Sequence, residues 1–435
     1  MPTQAALPAA LRAAVAAQRD RAADLFDRLR ADGHAPPGVS RDPYGPGEQR
    51  AHATMAAAAA ALGLIPDKDA AANRYATWPG RDRTAGRIVI GSHLDSVPHG
   101  GNFDGAAGVV AGLVAVASLQ SLGVTPARDV TVMAIRAEES VWFQVSYIGS
   151  RGALGTLPAG VLADGASAAR RIDTGRTLAA HIADCGGDPA ALAAGARHFD
   201  PATIAAYLEL HIEQAPSLIE AGRAVGIATG IPGNVRFPEI RITGRNDHVG
   251  LPRRFRRDAA LAGAELALGV ERLWQEHEAR GIPMAATIGR FHTDAAQHGL
   301  TIVPGAFRLS IDLRAYDPAV VTALEVAFRD LVRGIAERRG VTIDLGTRAS
   351  ADVGAVDPAI RAGLEAAAAA LDIPVLALGS PASHDAAAFA AAGVKMGMVF
   401  VRNANGSHNP DEAMELDDFL DATAVLTTWL AGAIA

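Results

Sequence analysis

Only one cysteine, Cys185, stands among 435 residues, so no intramolecular disulfide can form and a reducing compartment is expected. It has no CxxC partner, and no catalytic role is assigned to it. Aromatic residues are also scarce, at 5%, while alanine dominates an apolar fraction of 49%. That balance suits closely packed helices with small side chains. No stretch reaches the apolar length of a membrane span. The N-terminal Ala-rich stretches are broken by Arg and Asp, so no export signal is read there. A soluble, cytoplasmic protein is expected. A long basic stripe is missing too, and the formal net charge is −7, which argues against nucleic acid as a partner. The exception is Arg253-Arg254-Phe255-Arg256-Arg257, which by itself reads as a solvated basic loop.

The length accommodates two domains of ordinary size. Apolar runs at 87–91, 129–136, 205–214, 373–378 and 395–401 alternate with helical patterns at 48–62, 106–122, 357–371 and 416–433. Such alternation predicts an α/β fold, a sheet with helices on both faces. A single amphipathic helix is expected over 7–30. From Gly222 the texture changes to short strands split by Pro232-Gly233, two long helices and hairpin-like spacing. This predicts an inserted α+β domain over 222–346, the remainder, 1–221 and 347–435, forming the main domain.

Polar residues gather where strands end, which is where open α/β sheets place their functional groups. In GSHLDSVPHGGNFDG, His93 and Asp95 lie two apart and project to one side of an extended segment, with Asp104 in the glycine-rich loop beyond. His-x-Asp alone is an ordinary polar loop. With Asp104 at the strand exit, the set is what a divalent cation needs. Glu138-Glu139 follows the next strand; one carboxylate could ligate while the other moves a proton. AAYLELHIEQ alternates polar and apolar residues and presents His211. His408 lies in a turn after the last strand.

Taken in order, GSHLDSVPHGGNFDG, Glu138-Glu139, ELHIEQ, the segment around His248 and GSHNPDE resemble the M20 metallopeptidase clan. More narrowly they resemble its hydantoinase/carbamoylase amidases: N-carbamoyl-L-amino acid hydrolases, β-ureidopropionases and allantoate amidohydrolases. The resemblance implies a dinuclear metallohydrolase catalytic domain on a mixed sheet, with the inserted domain as lid and dimerisation element. It implies two divalent ions per subunit, Zn, Mn, Co or Ni, bridged by Asp104. One ion would take His93 and His211, the other Glu139 and His408. Asp95 would stand behind His93 and orient its imidazole. Glu138 would be the general base, passing a proton from the attacking water to the leaving nitrogen. His248 would reach into the partner subunit of a homodimer and stabilise the oxyanion. Gln214, Arg236, Thr301, Arg314 and His384 match substrate-contacting positions, the two arginines as forks for a substrate carboxylate.

The implied reaction is hydrolysis of a linear amide or ureido C–N bond in a small carboxylate-bearing substrate, with an N-carbamoyl-L-amino acid leading. An M20 N-acyl-amino-acid deacylase or aminopeptidase is the first rival, and a metal-free binding protein on an enzyme fold the second. Two positions depart from the family pattern. Thr301 replaces an asparagine. Trp142 replaces an arginine close to the metals, where it either packs on substrate or fills core.

Overall fold

A computed structural model describes residues 7–163, 165 and 167–435. The chain divides into two compact units, Met1–Ile231 with Ala355–Ala435, and Pro232–Gly354. The borders expected at 222 and 346 therefore move to 231/232 and 354/355. Strand Val225–Ala228 reads as the start of the inserted domain, but it pairs with Met396–Val401 and Val375–Leu378 in the large unit's sheet. At the other end, Ala349–Ala351 pairs with the inserted unit's strand Gly233–Thr243. Pro232-Gly233 thus separates two sheets and is not the turn of a hairpin.

The large unit is built on an eight-stranded mixed sheet. Its spatial order is Val375–Leu378, Val225–Ala228, Met396–Val401, Ile204–Ile212, Arg87–His93, Val130–Ile135, Arg74–Trp78, Ile65–Lys68. The four strands from Met396–Val401 to Val130–Ile135 run parallel to one another. Parallel strands covered on both faces read as continuous apolar runs, as VTVMAI and MGMVFV do, every residue buried. On one face lies helix Ala106–Ser121, buried along nearly its whole length. It can lie this close because its sequence is mostly Ala, Gly and Val: a Cβ at Gly108 would meet the Leu210 carbonyl oxygen at 2.4 Å. The final helix, Leu416–Ala433, closes this core. The N-terminal segment forms two helices, Leu7–Ala16 and Arg19–Asp32, rather than one. The turn between them closes through Gln18 N–H to the Val15 carbonyl at 2.9 Å, and both helices still bury their leucines in the same core.

The inserted unit has its own core. Its main sheet is antiparallel, Met284–Thr287, Ala306–Ala315, Gly233–Thr243 and Thr342–Asp344 lying side by side. Helices Ala259–Ala279 and Pro318–Arg339 pack on that sheet. The unit's two ends come together: a Cβ at Gly233 would lie 2.8 Å from the Val353 nitrogen.

Candidate metal centre

Four adjacent parallel strands deliver the large unit's polar cluster from a single sheet edge. His93 is the last residue of Arg87–His93, and His211 lies near the end of its neighbour Ile204–Ile212. Glu138 and Glu139 follow Val130–Ile135, and His408 follows Met396–Val401. Asp104 comes from the loop before helix Ala106–Ser121. That loop is closed by a γ-turn in which Ala106 N–H donates to the Asp104 carbonyl at 2.7 Å, with Gly105 at φ +66° and ψ −50°. Positive φ of this kind belongs to glycine. A side chain at Gly105 would also collide with the His93 ring, 2.5 Å away.

Two three-residue groups share Asp104. Its Oδ1 lies 3.3 Å from both His93 Nε2 and His211 Nε2. Its Oδ2 lies 3.4 Å from His408 Nε2, which stands 3.2 Å from Glu139 Oε1. The donor atoms of each group fall within 4.8 Å of one another. His93, Asp104, His211, Glu139 and His408 are thus brought together as expected, one carboxylate oxygen toward each side.

The residues fit a cation on physical grounds. His93 Nδ1 faces the Asp95 carbonyl at 3.1 Å, and His211 Nδ1 faces the Ile212 carbonyl at 2.9 Å. A carbonyl only accepts, so each Nδ1 carries the hydrogen, and Nε2 is the nitrogen each ring turns toward Asp104 and, when that nitrogen is unprotonated, offers as a lone pair. Those two Nε2 atoms point at one another across 3.4 Å. Gly105 N–H donates to His211 Nε2 at 3.2 Å, and two ring nitrogens facing across 3.4 Å favour a proton or a cation between them. The titration pattern agrees. Burial opposes a charged His93, yet its hydrogen bonds to Asp104 and Asp95 push its pKa well up. Hydrogen bonds to Asp104 and Glu139 push His408 up to about 11. Burial, with Glu139, Asp385 and Asp95 nearby, drives the Glu138 carboxyl well above its ordinary range, against the pull of His93. Without a cation, this cluster gathers protons in its place.

Asp95 stands behind His93, its backbone carbonyl 3.1 Å and its carboxylate Oδ1 3.5 Å from the ring's Nδ1. Its two carboxylate oxygens also accept backbone N–H groups, from Glu138 and Glu139, at 3.0 Å each. Asp95 therefore fixes the turn that aims the glutamates. Gln214, held at φ +65°, donates through Nε2 to Asp104 Oδ2 at 2.8 Å. His384 packs its ring on His211, centroids 4.3 Å apart, and pairs Nε2 with Ser380 Oγ at 2.8 Å. Burial, with the nearby charge of His211, pushes the His384 pKa well down, so it stays neutral. Trp142 fills core: its indole N–H donates to the Ser96 carbonyl at 2.8 Å, and Arg171 stacks 4.6 Å above the ring.

In the inserted unit, Arg236 lies directly across the sheet from Asp312 and Arg314 two residues beyond it on the same strand, and both arginines converge on that carboxylate, at 2.8 and 3.0 Å. His248 is exposed, and Gly250 N–H donates to its Nδ1 at 3.1 Å. Thr301 adjoins it, its carbonyl accepting from Val249 N–H at 2.9 Å.

Several residues at the centre escape sequence reasoning. Ser407 Oγ contacts Asp104 Oδ2 at 2.6 Å and Glu412 Oε2 at 2.7 Å. A hydroxyl has one hydrogen, so it donates to one carboxylate, and the other contact needs a proton on the acid. Burial and the charge of Asp104 push the Glu412 pKa up, so that proton belongs to Glu412. Arg41 is fully buried and donates to the carbonyls of Leu94, at 2.6 Å, and Asn102, at 3.2 Å, holding the loop from beneath. Ser407 and Glu412 lie inside the GSHNPDE segment that carries His408. Arg41 sits in a Pro/Gly-rich stretch without pattern and gives no signal.

An α/β sheet edge that gathers three imidazoles around one shared carboxylate fits a divalent-metal site, and comparison with known proteins gives the class of protein that carries it. Residues 89–431 match the family described as Peptidase family M20/M25/M40. An N-carbamoyl-L-amino acid amidohydrolase of Geobacillus stearothermophilus is 33% identical over 396 residues, covering 90% of this chain and 93% of that protein. A ureidoglycolate hydrolase of Arabidopsis thaliana is 29% identical, over 93% of this chain and 84% of its own length. The crystal structure of a hydantoinase/carbamoylase family amidase from Burkholderia ambifaria superposes with a TM-score of 0.82 at 29% identity, covering 96% of this chain and 98% of that one. The chain belongs to peptidase family M20/M25/M40, and within it to the hydantoinase/carbamoylase amidases. It is an amidohydrolase acting on carbon–nitrogen bonds other than peptide bonds. Among the described residues, no helix is long and apolar enough to cross a membrane.

Proposed function

We propose that this amidohydrolase cleaves the ureido C–N bond of an N-carbamoyl-L-amino acid or related ureido acid, using two divalent ions per subunit. The observation that carries the reading is the split use of Asp104, Oδ1 toward His93 and His211, Oδ2 toward His408 and, beyond it, Glu139. His93, Asp104 and His211 would hold one ion, Asp104, Glu139 and His408 the other, drawn from Zn, Mn, Co or Ni. Such ions, when bound, polarise the scissile carbonyl and make water acidic enough to attack near neutral pH. Relatives named N-carbamoyl-L-amino acid amidohydrolase and ureidoglycolate hydrolase support the substrate class.

The chain's own residues supply the proton transfers. Glu138, whose backbone N–H is fixed by Asp95, takes a proton from the attacking water on its carboxylate. It returns that proton to the leaving nitrogen as the C–N bond breaks, releasing an amine and carbamate, which decomposes to CO2 and ammonia. Arg236 and Arg314 would meet a substrate carboxylate, releasing their shared hold on Asp312. His248, exposed on the inserted unit, would act from the second copy of a cytoplasmic homodimer. Thr301, beside it, would contact substrate in place of the family's amide.

The test is a screen of metal-reconstituted protein against N-carbamoyl amino acids, ureido acids, N-acyl amino acids and dipeptides. Turnover confined to carbamoyl or ureido compounds is expected. Turnover confined to acyl compounds or dipeptides refutes the assignment in favour of a deacylase or aminopeptidase.

A further inference from the structure

We propose that the inserted unit carries a second binding site, an arginine-lined groove that takes a small anion bearing two or more phosphate groups. The groove, of about 1410 Å³, lies between the 251–257 loop, the start of helix Ala259–Ala279 and the end of helix Pro318–Arg339. Seven arginines and three carboxylates line it, a net charge of +4 on a chain whose total is −7. That concentration on an otherwise acidic protein calls for a counter-charge.

The chain's own carboxylates only partly provide one. Arg338 and Arg339 share Glu265, at 2.8 and 2.7 Å, and Arg245 pairs with Asp247 at 2.7 Å. Arg256 turns inward to the carbonyls of Leu251 and Val249. Asp258 is engaged as the helix cap, accepting Leu261 N–H at 2.9 Å. Arg253, Arg254 and Arg257 have no carboxylate partner among the described residues, and all three are exposed. Arg254 is steadied above the Phe255 ring at 4.5 Å. Against these three unpaired guanidiniums the groove offers one unpaired carboxylate, Glu337.

A monovalent anion does not match that surplus, whereas a bisphosphate does, each phosphate meeting a guanidinium fork. The concave shape and the overall negative charge disfavour an extended polyanion such as a nucleic acid. The site is independent of the hydrolase reading, since none of these residues belongs to the metal centre.

Calorimetric titration of the full-length, metal-loaded protein with pyrophosphate tests the proposal. Saturable binding at one site per chain, weakened by added salt, is expected. Arg253→Ala, Arg254→Ala and Arg257→Ala should each lose about tenfold in affinity, the size of one charge-assisted hydrogen bond, and the lysine variants should lose less. Arg81→Ala, an exposed arginine of the large unit, should bind as the parent does. Equal thermal melting of all variants without the anion establishes that they are folded. Absence of saturable binding overturns the proposal. So does binding that survives the triple alanine variant, which puts the anion outside the groove, or that disappears with His93→Ala, which puts it on the metal centre. Equal or tighter binding of a short duplex DNA also overturns it, since that marks a general polyanion surface.

Discussion

Gly105→Ala tests how tightly the backbone and the metal centre are tied. The substitution meets two costs that can be separated. The first is conformational: Gly105 holds φ +66° and ψ −50° in a γ-turn, a geometry that costs an L-residue about 1–3 kcal/mol. The second is contact. The new Cβ would lie 2.5 Å from His93 Nδ1 and Cε1, and ordinary contact begins at 3.4 Å, so ring or loop must give way by 0.9 Å. A shift of that size pulls Nδ1 from the Asp95 carbonyl and Nε2 from Asp104, which now stand at 3.1 and 3.3 Å. Losing a ligand's orientation costs about 10–100-fold in metal affinity. Gly63→Ala is the control, because Gly63 also has positive φ, +68°, but open space where its Cβ would go. Both variants should lose stability in urea unfolding of the metal-free protein. Only Gly105→Ala should also lose metal, read by elemental analysis after dialysis, and activity with it. Parental metal content and turnover in Gly105→Ala would refute the link between this turn and His93.

Glu138→Gln should retain metal while kcat falls about 10²–10⁴-fold, measured by ammonia release; an unchanged rate removes Glu138 from the proton path. Ser407→Ala leaves Asp104 and Glu412 without the hydroxyl between them, and should weaken metal retention about 10–100-fold with the secondary structure intact by circular dichroism. Chelation should abolish activity and lower the melting temperature, and adding back a divalent ion should restore both. His52 is fully buried, and burial, helped by Arg136 and Arg74, pushes its pKa well down. The unfolded chain takes up that proton below about pH 6.5 while the folded one resists it, so the stability is present above that pH and lost as the pH falls. Urea midpoints should reveal a decline of about 1.4 kcal/mol per pH unit, flattened in His52→Leu.

The strand ends were legible because parallel strands buried on both faces write themselves as apolar runs, and the polar residue after each run marks the functional edge. His93, Glu139 and His408 are visible in that way, and His211 near the end of its run. What the sequence hides is partnership across distance. Arg41 lies among prolines and glycines, and nothing in its surroundings says that it props a loop 53 to 61 positions away. The Ser407–Glu412 pair hides for another reason: a serine hydroxyl between two acids is recognisable only once Asp104 is seen beside it. The domain border slipped because Val225–Ala228 and Gly233–Thr243 are consecutive strands that meet at a Pro-Gly step. Local pattern cannot say to which sheet a strand belongs. Trp142 was open between substrate and core, and the carbonyl of Ser96 decided it.

The meeting of Gly233 with Val353 has a consequence for how such a chain can change. A module whose entry and exit touch can be cut out or transplanted with little more than a short splice, leaving its host's strand pairing uninterrupted. Residues 232–354 are in that sense a cassette, free to vary its loops, and with them the ligands it meets, while the eight-stranded host keeps its chemistry.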